Sequence, residues 1–127
     1  MNHQADKLVH AVTPEEAAAV SEAGADVVGA HVGLTSGGAI GATETLTLAD
    51  ACAATREMAG AARAARSDVL VVAHGGPFED PKSVAAVFAD GDVDGYLGAS
   101  SIERLPVERA VDEVVRAFKG LPLPSRG

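Results

Sequence analysis

Two histidines, His31 and His74, each sit at the end of a short apolar run and lead into glycine. An imidazole in that position can donate to a phosphate or carboxylate, or carry a proton near neutral pH. The first leads into His31-Val32-Gly33-Leu34-Thr35-Ser36-Gly37-Gly38-Ala39-Ile40-Gly41, the second into His74-Gly75-Gly76-Pro77. A third cluster, Gly98-Ala99-Ser100-Ser101-Ile102-Glu103-Arg104, follows another apolar run. Glycine lets backbone N–H groups approach an anion with no Cβ in the way. Hydroxyls at Thr35, Ser36, Ser100 and Ser101 add donors. Arg104 could grip a carboxylate or phosphate with two hydrogen bonds, or pair with Glu103 or Glu108 at a helix start. Glu44, beside the first loop, is a third acid/base candidate.

These residues define the expected site. His31, His74 and Glu44 are the catalytic candidates. Thr35, Ser36, Gly37, Gly38, Gly75, Gly76, Gly98, Ser100, Ser101 and Arg104 are the candidates for holding a small anion. The same turns would also serve as plain connections, and only their clustering at one end of a sheet favours a ligand. No His-x-x-x-His or carboxylate spacing supports a metal at the two histidines. His3 and His10 are read as neutral residues outside the chemistry. The glycine loops lack the Gly-Lys-Ser/Thr of a P-loop and the Gly-x-Gly-x-x-Gly of a dinucleotide site.

The elements that must position these groups alternate in type. Apolar runs at Lys7–Val12, Asp26–Val32, Val69–Ala73 and Val93–Gly98 have the length of buried strands. Between them lie helical patterns with start signals: Thr13-Pro14 with Glu16, Thr47 with Asp50, and Asp80-Pro81. Pro106 opens a last helix whose Val107, Ala110, Val111, Val114, Val115 and Phe118 form one apolar stripe. Strands alternating with helices imply parallel strands and right-handed crossovers. The almost wholly apolar strands predict cover on both faces of the sheet. In such folds ligands bind at the C-terminal strand ends, where all three clusters fall. A faint internal echo relates Gly24-Ala25-Asp26-Val27-Val28-Gly29-Ala30 to Gly91-Asp92-Val93-Asp94-Gly95-Tyr96-Leu97-Gly98-Ala99.

Bulk properties narrow the class. The 127 residues suit one domain, with residues 121–127 as a loose tail. Apolar residues make up 47% but aromatics only 3%, so small aliphatic side chains must fill the core. A net charge of −8 without a basic cluster argues against nucleic acid and acidic membrane surfaces. Cys52 is the single cysteine, so no internal disulfide forms, and its place on the apolar side of a helix suits a core role. No apolar run has signal-peptide or membrane-spanning character, which makes a cytoplasmic location the default.

Ala23-Gly24-Ala25-Asp26, the His31–Ala42 loop, His74-Gly75-Gly76-Pro77 and Gly98–Pro106 occur together and in order from about Thr13 to Leu121. In this combination the sequence resembles the phosphoenolpyruvate hydrolase-like TIM-barrel family, also found beside Tm-1-like ATP-binding domains. The resemblance implies an α/β fold, a (β/α)4 half of a pyruvate/phosphoenolpyruvate-type barrel spanning residues 1–127, with the four units matching barrel units five to eight. It implies a small phosphorylated or 2-oxo acid as substrate, and a phosphate corner at Gly75-Gly76 and Gly98–Ser101. A full barrel needs about 250 residues. The first four units, and with them the metal carboxylates of related barrels, are therefore expected to be missing here. The cofactor is undefined by these residues, with a divalent metal possible in a complete barrel. Met1–Lys7 is unlike the family and is read as a new start.

Three readings follow. The first is the C-terminal half of such an enzyme, inactive as a hydrolase when alone. The second is a non-catalytic module, a homodimer or a partner of a separate N-terminal half-barrel. The third is a self-contained flavodoxin-like sheet, distinguished by its strand order.

Overall fold

The computed structural model describes residues 6–34 and 46–124. Four strands, β1 (Leu8–Ala11), β2 (Val27–His31), β3 (Leu70–His74) and β4 (Gly95–Leu97), form one sheet in the order β1-β2-β3-β4. All three pairings are parallel. This sequential order is that of four consecutive barrel units and excludes the flavodoxin-like alternative. The chain is a (β/α)4 half of a TIM-type barrel.

The helices begin where the sequence places them. Thr13 caps α1 (Pro14–Glu22) by accepting from Glu16 N–H. Glu16 reaches back to Val12 N–H at 2.9 Å, one residue beyond the usual capping-box target. Thr47 caps α2 (Leu48–Ala65). Asp80 and Ser83 form a reciprocal capping box at α3 (Pro81–Asp90). A short α4 (Ser100–Glu103) precedes α5 (Leu105–Lys119).

The core lies on one side of the sheet. Val28, Ala30, Val71 and Ala73 point to the helices and are fully buried. They meet Ala17 of α1, Ala51, Met58, Ala59 and Ala62 of α2, and Val87 of α3. Alanine-rich helix faces let the backbones approach closely, which suits a core poor in aromatics. Cys52 is buried in this layer, as its helical position predicts.

The internal echo has a structural basis. Asp26 N–H donates to the Lys7 carbonyl while its carboxylate accepts from Lys7 N–H at 2.8 Å. Asp94 repeats the exchange with Val71, again with 2.8 Å to the side chain. Each aspartate thus fastens the start of its own strand to the preceding one. Asp94 is held in turn by Arg63, whose guanidinium also bonds Asp92.

The expectation of cover on both sheet faces does not hold among the described residues. Among the described residues, helices pack on one face only, and Leu8 (43% exposed) and Leu70 (51%) lie open on the other. The physical reason is barrel geometry: that face is the barrel interior, covered only when about eight strands close. Among the described residues, β1 and β4 each have one neighbour and one free edge. The α5 stripe is also bare: Val107, Val111, Val114, Val115 and Phe118 are exposed, and only Leu105 at its start is buried. Residues 121–124 are exposed, and no helix among the described residues is long and apolar enough to cross a membrane.

Asp94→Ala should destabilise the fold by about 1–3 kcal/mol, because it strands the Val71 N–H and removes one of the two carboxylates that hold Arg63. Asp112→Ala, which removes an exposed pair with Arg116, should change stability by less than about 0.5 kcal/mol. Urea denaturation of both variants measures the difference.

Candidate functional site

The parallel register of β2 and β3 sets His31 directly beside His74, both on the open face at the C-terminal strand ends. Their ring centroids are 5.1 Å apart. A cleft of about 250 Å³ opens over them, lined by His31, Gly33, Leu34, His74, Gly75, Ala99, Ser100 and Arg104. Three segments far apart in sequence meet here because each follows a neighbouring strand.

Gly75 and Gly76 have positive φ, 77° and 56°, so the chain turns back sharply after His74. A Cβ on Gly75 would strike the Gly33 carbonyl, and one on Gly76 would lie 2.8 Å from the Val32 carbonyl. Gly76 N–H donates to the Gly33 carbonyl at 2.8 Å, so that amide ties two loops together and is already engaged. His74 Nδ1 lies 2.8 Å from the Leu97 carbonyl, and His31 Nδ1 accepts from Gly33 N–H at 3.2 Å. Arg104 reaches the cleft from the start of α5 while bonded to Glu108 at 2.9 Å. Arg104 thus makes the Glu108 pair weighed for it in the sequence and also lines the cleft.

Other candidates lie elsewhere. Ser101 turns to the helix side, where Tyr96 hydroxyl meets both its hydroxyl and the Phe78 carbonyl. There it lines a separate apolar cavity of about 540 Å³ between α3 and α4, with Val84, Phe88, Ile102 and Pro106. Gly98 packs under Ile102, whose side chain a Cβ at 98 would overlap. Thr35, Ser36, Gly37, Gly38 and Glu44 lie outside the described residues.

His10, left out of the chemistry by the sequence, joins the site. Its ring stacks on His74 with centroids 4.7 Å apart and planes 25° apart, and lies 5.8 Å from His31. The signal that could have found it is periodicity: counting by twos from the strand end places His10 on the same face as the other two. His10 has its pKa lowered by burial and then by the charge of His74. His31 is lowered by burial, then by His74 and His10, with a backbone hydrogen bond pulling partly the other way. Among the described residues no group of three His, Cys, Asp or Glu is arranged to hold a metal ion. Among the described residues the cleft wall supplies imidazoles and a guanidinium but no carboxylate, a donor set that does not by itself fit the divalent metal of related barrels.

A family model described as phosphoenolpyruvate hydrolase-like matches residues 4–121. Two proteins of Solanum lycopersicum, the ToMV susceptible protein tm-1(GCR26) and the ToMV resistance protein Tm-1(GCR237), are each 40% identical over 115 residues. The match covers 90% of this chain and only 15% of each tomato protein. Among solved structures, nitroalkane oxidase from Streptomyces ansochromogenes is similar with a TM-score of 0.51 and 33% identity, over 76% of this chain and 28% of that one.

The lowered histidines fix the sign of a pH effect. A group whose folded pKa lies below its unfolded value of about 6.5 binds fewer protons when folded. Its contribution is fully present above about pH 6.5 and is lost as pH falls through the folded value. Denaturation midpoints should therefore drop between about pH 7.5 and 5.5. A His10→Phe/His31→Phe double variant should lose part of that drop.

Proposed function

The chain belongs to the phosphoenolpyruvate hydrolase-like family, and on that premise we propose that its rim cleft binds a small phosphorylated or 2-oxo acid. The observation that carries this reading is the convergence of Arg104, Ser100, the Gly75 turn, His31 and His74 on one small cleft. A guanidinium and a hydroxyl suit the anionic end of such an acid. The paired imidazoles suit proton transfer at the atom beside it. Thr35, Ser36, Gly37, Gly38 and Glu44 follow Leu34 in the sequence and remain candidates for the same ligand. A divalent metal, where a complete barrel uses one, would draw its carboxylates from outside the cleft wall described here.

Four strands provide half a barrel rim, so this chain alone is proposed to lack phosphoenolpyruvate hydrolase turnover. A second reading, a self-associating module, is favoured by the bare sheet face and free edges. Two copies about a two-fold axis would pair β1 of each with β4 of the other and close eight parallel strands. A separate half-barrel segment would cover the same face, and the chain spans only 15% of its tomato relatives. The proposed setting is the cytoplasm, with neither nucleic acid nor membrane as partner.

Titration of the labelled chain with phosphoenolpyruvate should shift the Gly75 and Ser100 amides in NMR spectra; shifts confined to other regions would sink the ligand reading. Light scattering after size exclusion should give twice the chain mass. A stable monomer would count against closure by a second copy.

A further inference from the structure

The two cleft histidines present opposite polarity. His74 Nδ1 faces the Leu97 carbonyl at 2.8 Å. A carbonyl can only accept, so Nδ1 carries the proton and Nε2 of the neutral ring holds a lone pair. His31 is reversed, because its Nδ1 accepts from Gly33 N–H. Its Nε2 therefore carries the proton in the neutral ring. Register places the rings side by side, with centroids 5.1 Å apart, so one acceptor and one donor meet at the same cleft.

His10 completes the arrangement from two strands away. To stack on His74 its ring crosses β2 at Gly29, where a Cβ would come 2.5 Å from His10 Cδ2. Gly29 is not among the glycines with positive φ. The backbone thus gives no reason for glycine in the middle of a strand, where it weakens the strand. The room it leaves for the His10 ring does give one.

We propose that His74 and His31 are a proton-accepting and a hydrogen-bond-donating imidazole of fixed polarity, that His10 is the positioning residue for His74, and that the pair enolises a small 2-oxo acid. This deepens the small-acid reading of the cleft and rests on it. Arg104 and Ser100 hold the carboxylate. His74 Nε2 takes a proton from the carbon next to the carbonyl. The electron pair of that C–H bond becomes the C=C bond, and the carbonyl π pair moves to oxygen. The enolate oxygen keeps its charge under a hydrogen bond from His31 Nε2–H, and the new His74 imidazolium balances it. That imidazolium exchanges its proton with solvent and returns one to carbon. Nothing is oxidised or reduced, and His31 is never deprotonated. Burial and the neighbouring rings lower the pKa of His31, which favours its neutral donor form.

The test uses the ¹⁵N-labelled full chain with pyruvate as probe. Long-range ¹H–¹⁵N spectra report each tautomer, and loss of the pyruvate methyl signal in D₂O reports enolisation. The expected result is Nδ1–H at His74, Nε2–H at His31, and methyl exchange above the rate in buffer. His74→Gln should lower that exchange about 100-fold or more while keeping the pyruvate-induced shifts at Gly75 and Ser100. His10→Ala and Gly29→Ala should slow exchange about tenfold or more through ring misplacement. His10→Phe, which keeps a flat ring, should restore it. Reversed tautomers, or pyruvate shifts at those amides without exchange, would overturn the enolising pair and leave the small-acid cleft standing. Absence of shifts at those amides would overturn both. Equal loss in His10→Phe and His10→Ala would remove the positioning role.

Discussion

The parallel pairing of β2 with β3 is the constraint on which the rest depends. It puts His31 opposite His74, and because side chains alternate across a strand it sends both to the open face. A one-residue slip of either strand would turn its own imidazole into the helix layer and bring its alanine, Ala30 or Ala73, out. The register is defended by burial of Val28, Ala30, Val71 and Ala73 against the helices. At the neighbouring seams, β1–β2 and β3–β4, it is defended by the aspartate exchanges of Asp26 with Lys7 and Asp94 with Val71. Core packing and site geometry are thus two faces of one alignment.

The two faces solve different problems. On the helix face, small side chains allow close approach, and Phe78 and Met58 fill the larger gaps. On the open face the space over β2 is kept for rings: Gly29 admits His10, and the turn at Gly75-Gly76 folds back against Val32 and Gly33. Those glycines would be costly in an ordinary sheet, where a strand gains from a side chain and loses from backbone freedom. Here they bring loops and imidazoles closer than any Cβ would permit.

The exposed stripe of α5 begins next to the apolar cavity lined by Ile102 of α4 and Pro106 of α5. α5 follows α4 and gives Pro106 to the cavity wall beside Val84 and Phe88 of α3, while its valines and Phe118 stay exposed. An apolar stripe left in water carries a cost in free energy.

Local chemistry was legible in the residues themselves. Capping pairs at Thr13, Thr47 and Asp80 marked helix starts, Val-rich runs marked strands, and the alternation implied parallel order, because each signal acts within a few residues of itself. His31, His74 and the Gly75 turn were recognisable since they stand where strands end. The motif combination carried the family as well. What tertiary structure decided was which groups meet. His10 looked unremarkable because its partner lies 64 residues on, brought near only by pairing across Gly29. Ser100 and Ser101 are adjacent in sequence, yet the turn into α4 sends one to the cleft and the other to Tyr96. The bare sheet face was likewise beyond the apolar pattern, which records that a strand is destined for burial on both sides and not which chain segment supplies the second cover.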